Sequence, residues 1–172
     1  MTDDVSLRPA LESDLPVVDV LTNDPVASSP YQWFGWQAPQ LLKRRWFDNG
    51  LLEPQRGLLM VVKGEERLGF VSWAKSQTGP FSTCWNVGIG LLPGARGHGY
   101  GTEAQRLLAR YLFSHTTVNR LEAMTEIGNV AEQRSLEKAG FTKEGVLRGY
   151  GFRDGAYHDS VGYSILRADV TL

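Results

Sequence analysis

The chain has 172 residues, of which 42% are hydrophobic and 22% are charged, and its formal net charge is −1 at pH 7. This length and composition are typical of one globular domain over residues 1–172, and the charge argues against a nucleic-acid binder that relies on general attraction to phosphates. No hydrophobic run approaches the roughly 20 residues of a membrane span, and the acidic N-terminus lacks the basic and hydrophobic regions of a signal peptide, so we expect a cytoplasmic protein with no membrane partner.

The first half of the chain predicts one strand, two helices and a strand hairpin. Residues 5–8 predict a short strand, and Ser13 fits the N-cap of a helix that ends near residue 23. A second helix is predicted over residues 38–47. The hydrophobic runs at 57–63 and 67–74 flank a short turn and therefore predict a hairpin.

The loop between these two helices is rich in aromatic residues, and two interpretations of it remain open. Trp33, Phe34 and Trp36 could cover the core or pack between helices. They could instead form the wall of a pocket for an acceptor substrate.

A basic, glycine-rich loop, Arg96-Gly97-His98-Gly99-Tyr100-Gly101, lies between a predicted strand at 84–91 and a helix-patterned segment. Glycines leave backbone N–H groups uncovered, and the first N–H groups of a helix lack internal partners, so this order predicts an anion site, above all for phosphate. Arg96 could add a charge-assisted contact to phosphate, and Thr102 fits either an N-cap or a phosphate donor. The spacing matches neither the Walker nor the Rossmann pattern.

The remaining sequence predicts a strand, a short helix and two late strands. The strand covers residues 119–125, and Asn129 and Glu132 have the spacing of a capping box at the start of the helix. Gly140 is placed for a left-handed C-cap. Late strands begin at residues 141 and 159, with a hairpin turn region at residues 151–158 between them. The whole order predicts an α/β fold, a mixed sheet with helices on both faces.

Two motifs resemble the GNAT superfamily of acyl-CoA N-acyltransferases, and in particular its RimJ/RimL-type N-acetyltransferases. The loop matches the family pattern Arg/Gln-x-x-Gly-x-Gly/Ala through Arg96, Gly99 and Gly101. The segment from Asn129 to Phe141 is similar to the N-x-x-S…L-E-K-x-G-F signature. The resemblance covers roughly residues 85–167, and implies the GNAT fold with its central, mostly antiparallel sheet.

The resemblance implies that acetyl-CoA donates an acetyl group to an amine acceptor, with no metal. The lone cysteine, Cys84, also argues against metal ligation. In this family the pantetheine arm pairs with the strand before the loop, here Ile89, Gly90 and Leu91. The pyrophosphate would lie on the loop, and Asn129 would contact the coenzyme or hold its turn. The loop residues implied are Arg96, Gly97, His98, Gly99, Tyr100, Gly101 and Thr102.

The chemistry needs a general base, an oxyanion donor and an acid for the thiolate. The backbone N–H of Gly90 or Leu91 could serve as the oxyanion donor. Relatives often carry a carboxylate near Asn86, whose amide cannot accept a proton at neutral pH.

Several other residues are candidates for proton transfer, and the sequence does not choose between them. A water chain, Glu126, His158 or Asp159 could replace the base, and the ordinary pKa of histidine suits the role. Glu132 stands where relatives often carry serine, and it could act as the acid with a raised pKa, although its capping role is our preferred interpretation. Ser135 is a weaker candidate acid.

Two classes of function are therefore compatible with the sequence. The first is an active N-acetyltransferase for a protein N-terminus or a small amine. The second is a catalytically weak or inactive acyl-CoA-binding or sensor module with the same fold. A late strand could also pair two chains into a homodimer.

Overall fold

Eight strands and four helices follow one another along residues 5–171, the part of the chain that the computed structural model describes. The strands are β1 (Val5–Arg8), β2 (Leu52–Glu53), β3 (Arg56–Lys63), β4 (Glu66–Gly79), β5 (Ser82–Leu91), β6 (Arg120–Glu126), β7 (Thr142–Arg153) and β8 (Ala156–Leu166). The helices are α1 (Leu15–Asn23), α2 (Pro39–Asn49), α3 (Tyr100–His115) and α4 (Val130–Ala139). None of the helices within these residues is long and hydrophobic enough to cross a membrane.

The strands form one sheet in the order β1-β3-β4-β5-β6-β8-β7, with β2 added beside β3. Neighbouring strands are antiparallel except β5 and β6, which run parallel for only two residue pairs, Trp85 with Leu121 and Asn86 with Glu122. Beyond these pairs β5 continues to Leu91 without β6 beside it. The sheet therefore opens between its two central strands, next to the start of the glycine-rich loop.

The sheet has a hydrophobic core on each face. One core contains side chains of α3, α4, β5 and β8, and the other contains side chains of α1, β3 and the segment around Leu51. Along β5, Val87 and Ile89 belong to the α3 and α4 core. Because side chains alternate along a strand, Asn86 and Gly88 lie on the α1 and α2 face. The predicted α/β fold, with a mixed sheet and helices on both faces, is confirmed.

The predicted glycine C-cap of α4 is confirmed, and α2 ends in the same way. Gly50 follows α2 with a φ of 65°, and Gly140 follows α4 with a φ of 101°. This left-handed region is costly for a residue with a Cβ, so glycine ends each helix at low cost.

Two local predictions were wrong. The first long helix begins at Leu15, and the Ser13 hydroxyl accepts a hydrogen bond from Arg67 instead of capping the helix. Most of the predicted turn region at 151–158 is strand, because Asp154-Gly155 makes a two-residue turn with φ values of 49° and 76°. Asp-Gly is a strong signal for such a tight hairpin turn.

A buried carboxylate ties the N-terminal strand to the sheet. Asp14 is fully buried, and it accepts hydrogen bonds from both terminal nitrogens of Arg8, from Nε of Arg67 at 2.6 Å and from the amide of Leu11. The hydrogen bonds from Arg8, and then those from Leu11 and Arg67, outweigh burial and hold the pKa of Asp14 well below its usual range.

Replacing Asp14 with asparagine should lower the free energy of unfolding at pH 7 by about 2 kcal/mol, because two arginines lose their charged partner. The folded-state pKa of Asp14 is depressed, so its contribution is present above the unfolded value near 4 and is lost as the pH falls toward the folded value. Urea unfolding at pH 7 and pH 3 should show a smaller difference at pH 3. The control Glu12→Gln, which removes an exposed pair with Lys43, should cost less than about 1 kcal/mol at pH 7.

Candidate active site

The glycine-rich loop forms the first turn of α3. Gly97 and Gly99 have φ values of 79° and 81°, which side chains disfavour, and Gly99 is the N-cap residue. The amide of Arg96 donates to the Pro93 carbonyl, and the amide of Glu103 donates to the Gly99 carbonyl. Six backbone amides lie between those of Arg96 and Glu103, and none of them donates a hydrogen bond to any residue within 5–171. These amides belong to Gly97, His98, Gly99, Tyr100, Gly101 and Thr102.

The cluster of free amides has the geometry of an anion site. It lies at the positive end of a 16-residue helix, where unpaired N–H groups and the helix dipole both favour negative charge. The ring of His98 lies beside that of Tyr100, with centroids 5.5 Å apart, and Lys63 Nζ is 3.4 Å from the Tyr100 hydroxyl. Lys63 therefore adds positive charge close to the loop.

Two predicted roles in the loop do not match the structure. The guanidinium of Arg96 donates to the carbonyl of Leu91 at 3.0 Å and to the carbonyl of Ala27, so it fixes the loop to the protein. Thr102 is not the N-cap, because α3 begins two residues earlier. The Thr102 hydroxyl instead lies 3.2 Å from that of Ser135 on α4.

Beyond its two pairs with β6, β5 has a free edge that borders the opening in the sheet. The hydrogen bonds of its backbone show which groups point into this opening. The Ile89 carbonyl accepts from Gln32 Nε2 at 2.7 Å, whereas the amide of Leu92 donates to Leu68 on β4. Because successive peptide groups along a strand point to opposite sides, the amides of Ile89 and Leu91 face the opening and that of Gly90 faces β4. Of the two predicted oxyanion donors, only Leu91 therefore faces the opening.

The segment after α1 crosses this opening. The Tyr31 hydroxyl donates to the Gly128 carbonyl at 3.0 Å, and the Arg153 guanidinium lies 5.8 Å from the centroid of the Tyr31 ring. A Cβ on Gly128 would lie 3.2 Å from the Tyr31 hydroxyl, so this position favours glycine. Tyr31 and Gln32 thus connect both sides of the opening, a role that no local sequence pattern indicates.

A cavity of about 360 Å³ lies between α1, α2 and the sheet. Its floor includes Asn86, Gly88, Ser72 and Ala74, which leave space above β4 and β5 because three of the four are small. Its walls are polar on α1 and partly hydrophobic on α2. The wall residues include Val18, Asp19, Thr22, Asn23, Leu41, Leu42, Arg45, Arg56, Leu58 and Phe70.

The aromatic residues predicted to wall an acceptor pocket do not line this cavity. Trp33 and Trp36 pack edge to face, with ring centroids 5.5 Å apart. The side chains of Phe34 and Trp36 are 71% and 79% exposed. The chain reaches the cavity wall only after this group, at Gln37 and Ala38.

A chain of hydrogen bonds joins α3 to α4 beside the loop. The Ser135 hydroxyl donates to Gln105 Oε1 at 3.1 Å, and Gln105 Nε2 donates to Glu132. A Cβ on Gly101 would lie 3.4 Å from both Ser135 Oγ and Leu91 Cδ1, so Ser135 lies against the first turn of α3 near the free edge of β5. The sequence signal for this network was a polar residue, Gln105, on the hydrophobic stripe of α3.

Glu132 is not the second half of a capping box. Asn129 Oδ1 does accept from the Glu132 amide at 3.3 Å, but the Glu132 carboxylate is bonded to Gln105 instead of the Asn129 amide. Burial, only partly offset by the Gln105 bond, raises the pKa of Glu132 to about 7. A carboxyl group with this pKa exchanges protons near neutral pH.

The other predicted proton-transfer residues support the β7–β8 hairpin. Asp159 accepts from the Gly149 amide at 2.7 Å, and His158 Nε2 lies 3.1 Å from the Arg153 carbonyl. Glu126 accepts hydrogen bonds from Nε and Nη2 of Arg153 at 2.6 and 3.0 Å, and these bonds lower the pKa of Glu126. None of these side chains lines the cavity.

Cys84 is the only cysteine of the chain, and its side chain is buried. Burial raises the pKa of the Cys84 thiol to about 11, so it is a poor nucleophile at neutral pH. Between residues 5 and 171, no three His, Cys, Asp or Glu side chains are grouped so that they could hold a metal ion.

Residues 4–142 match the family model described as "Acetyltransferase (GNAT) domain". The chain belongs to this family. Its members are acyltransferases that use acetyl-CoA, so the predicted enzyme class and cosubstrate are confirmed at the level of the family.

Several known proteins resemble this chain. A probable N-acetyltransferase, YjcK of Bacillus subtilis, is 32% identical over 111 residues, which are 64% of this chain and 61% of YjcK. The structure of a Vibrio cholerae spermidine N-acetyltransferase with CoA and spermine has a TM-score of 0.80 at 17% identity, covering 97% of this chain and 98% of the other. The structure of RimL, a ribosomal L7/L12 α-N-protein acetyltransferase in complex with CoA, has a TM-score of 0.74 at 18% identity, covering 95% and 94%. These two structures share the fold.

Proposed function

We propose that this chain is an N-acetyltransferase of the RimJ/RimL type, which moves an acetyl group from acetyl-CoA to a primary amine by direct attack on the thioester. One observation carries the proposal. The opening between β5 and β6 begins at the loop of free amides, and the same strand, β5, forms part of the cavity floor through Asn86 and Gly88.

The coenzyme would bind along this path. Its pyrophosphate would accept hydrogen bonds from the amides of Gly97 to Thr102, and its pantetheine arm would pair with the free edge at Ile89 and Leu91. Gln32 already donates to the Ile89 carbonyl, so the pantetheine arm would either replace this bond or share the carbonyl. The acetyl group would then point toward Asn86 and the cavity.

The reaction would need a donor to the carbonyl oxygen, an acid for the thiolate and a base for the amine. The amine attacks the carbonyl carbon, and the carbonyl oxygen gains negative charge that a backbone amide on the unpaired edge of β5 would stabilise. The C–S bond then breaks, and the CoA thiolate takes a proton from the carboxyl group of Glu132, whose pKa near 7 allows it to hold that proton at neutral pH. The attacking amine would lose its proton to water held by Asn86, because the Asn86 amide cannot itself act as the base.

The cavity limits the size of the part of the acceptor that can enter it. One protein of this fold binds spermine, and another, RimL, is an α-N-protein acetyltransferase for ribosomal L7/L12. In this chain the aromatic segment is exposed outside the cavity, and the cavity volume of about 360 Å³ suits a small amine or the end of a peptide.

The proposal predicts saturable binding of acetyl-CoA by calorimetry and release of free CoA with at least one amine of a panel of amino acids, peptides and polyamines. Binding without turnover on any amine would favour the alternative, an acyl-CoA-binding module. Absence of binding to both acetyl-CoA and CoA would contradict both functions.

A further inference from the structure

Two arginines share one carboxylate at the side of the cavity formed by α2 and β3. Arg45 Nε lies 2.9 Å from one oxygen of Glu53, and Arg56 Nε lies 2.6 Å from the other. These are the only ion pairs of either arginine among residues 5–171, and their Nη groups have no acceptor there. The cluster of Arg45, Arg56 and Glu53 therefore carries one net positive charge, and both arginines line the cavity.

Strand register sets the distance between this positive charge and Asn86, toward which the acetyl group would point. Arg56 pairs with Ala74 on β4, and Ala74 pairs with Asn86 on β5. Residues directly opposite one another in a sheet project from the same face, so all three side chains point toward the cavity. Two strand spacings place the backbones of Arg56 and Asn86 about 10 Å apart. Ala74, between them, is too small to block a ligand that lies across the row.

The opposite wall has the complementary charge. Asp19 on α1 lines the cavity, and it has no ion-pair partner in the described part of the chain. It accepts from Asn23 Nδ2 at 2.7 Å, and Asn23 Oδ1 in turn accepts from the Gln37 amide, so the Asp19 side chain is held in place. A positively charged amine and a negatively charged group can therefore be bound in one cavity at separate places.

We propose that the acceptor is a small amine that also carries a carboxylate, such as an amino acid or a dipeptide, and that Arg45 and Arg56 bind this carboxylate. The inference rests on the proposed acetyl transfer and names its acceptor class. Arginine suits a carboxylate because its planar guanidinium donates two parallel hydrogen bonds. Asp19 attracts the ammonium group, and the hydrophobic wall, which includes Leu41, Leu42 and Phe70, accommodates a short hydrophobic side chain.

The test compares acceptors that differ only in the negative charge. L-leucine is paired with L-leucinamide, and leucylglycine with leucylglycinamide. Calorimetry with CoA present measures binding, and CoA release measures kcat/KM. In at least one pair the acid should be preferred, and Arg45→Gln or Arg56→Gln should reduce that preference by about tenfold to a hundredfold. Arg44→Gln, an exposed neighbour outside the cavity, should leave it unchanged.

A second variant separates binding from structural damage. Glu53→Gln removes the same two ion pairs but leaves both guanidinium groups free, so it should increase the preference for the acid. If Glu53→Gln and the arginine variants all reduce it, the cluster is structural and the inference is wrong. Equal binding of acid and amide in both pairs, or no binding of any of them, would also overturn it. Selective binding of an acid without acetyl transfer would contradict the proposed function and leave this inference standing.

Discussion

Replacing Glu132 with alanine should lower kcat for acetyl transfer by about two orders of magnitude, with the affinity for acetyl-CoA changed by no more than a few fold. Glu132 lies on α4, bonded through Gln105 to Ser135, which contacts the first turn of α3. Loss of its carboxyl group removes the proposed proton donor to the thiolate. The amides of the loop that would bind the coenzyme remain, so binding is retained.

The pH dependence gives a separate check on this role. The pKa of Glu132 is about 7, so the protonated form is lost as the pH rises through 7, and kcat of the unmodified protein should fall there. Glu132→Gln keeps the bond to Gln105 but has no acidic proton, so its residual kcat should lack this transition. A kcat profile that is flat from pH 6 to 8, or one that is identical in both proteins, would contradict the assignment.

Unfolding measurements test whether a Glu132 variant loses activity only because it is less stable. The folded-state pKa of Glu132 is raised above its ordinary value of 4.5, so ionisation disfavours the folded state and stability falls as the pH rises from about 4.5 to about 7. Glu132→Gln removes this cost, and should be as stable as the unmodified protein or more stable at pH 8, by no more than about 3 kcal/mol. Urea unfolding at pH 5 and pH 8 measures both effects. Arg134→Gln, an exposed change on the same helix, serves as the control for kcat.

Introducing aspartate at Gly97 should weaken acetyl-CoA binding by about a hundredfold. Gly97 lies among the free amides at a φ of 79°, and a Cβ there meets no other atom within 4 Å. Aspartate tolerates the left-handed region better than most residues, so the backbone is retained. Its carboxylate would occupy the anion site and repel the pyrophosphate, at a cost of a few kcal/mol for like charges about 5 Å apart.

Gly97→Asn is the matched control, because asparagine has almost the same shape, tolerates the same backbone region and has no charge. Calorimetric titration with acetyl-CoA at low and high salt should show a large difference between the two variants, and this difference should shrink as salt screens the repulsion. If both variants bind equally, the pyrophosphate does not lie on these amides. If both lose binding equally, the backbone change is responsible and the electrostatic explanation fails.

The glycine-rich loop illustrates which features can be predicted from a short segment of sequence. Its glycines, the helix after it and the strand before it are neighbours in the chain, and their preferences are set by backbone sterics and unpaired helix amides. The loop and α4, with its glycine C-cap, were therefore recognisable, as was the resemblance to the family. Of the two roles predicted for Thr102, the N-cap is wrong, because one turn of helix can begin at several adjacent residues.

The candidate acid illustrates what local sequence cannot show. The spacing of Asn129 and Glu132 predicted a capping box, but Gln105, 27 residues earlier, holds the Glu132 carboxylate. Its pKa depends on burial between two helices, which is a property of their packing. The roles of His158 and Asp159 likewise depended on the hairpin turn, which is placed by pairing between β7 and β8.

The sequence by itself determined the family, the class of cosubstrate and the order of the helices and strands apart from the short β2, because each of these depends on short segments with their own backbone preferences. Only the tertiary structure decided which residues line the cavity in which we propose that the acceptor binds. Trp33, Phe34 and Trp36 are not among the lining residues, and strand register places Asn86, Ala74 and Arg56 in one row although they are far apart in the chain. Such a row exists only after distant strands have paired. A homodimer and a cytoplasmic location stay predictions.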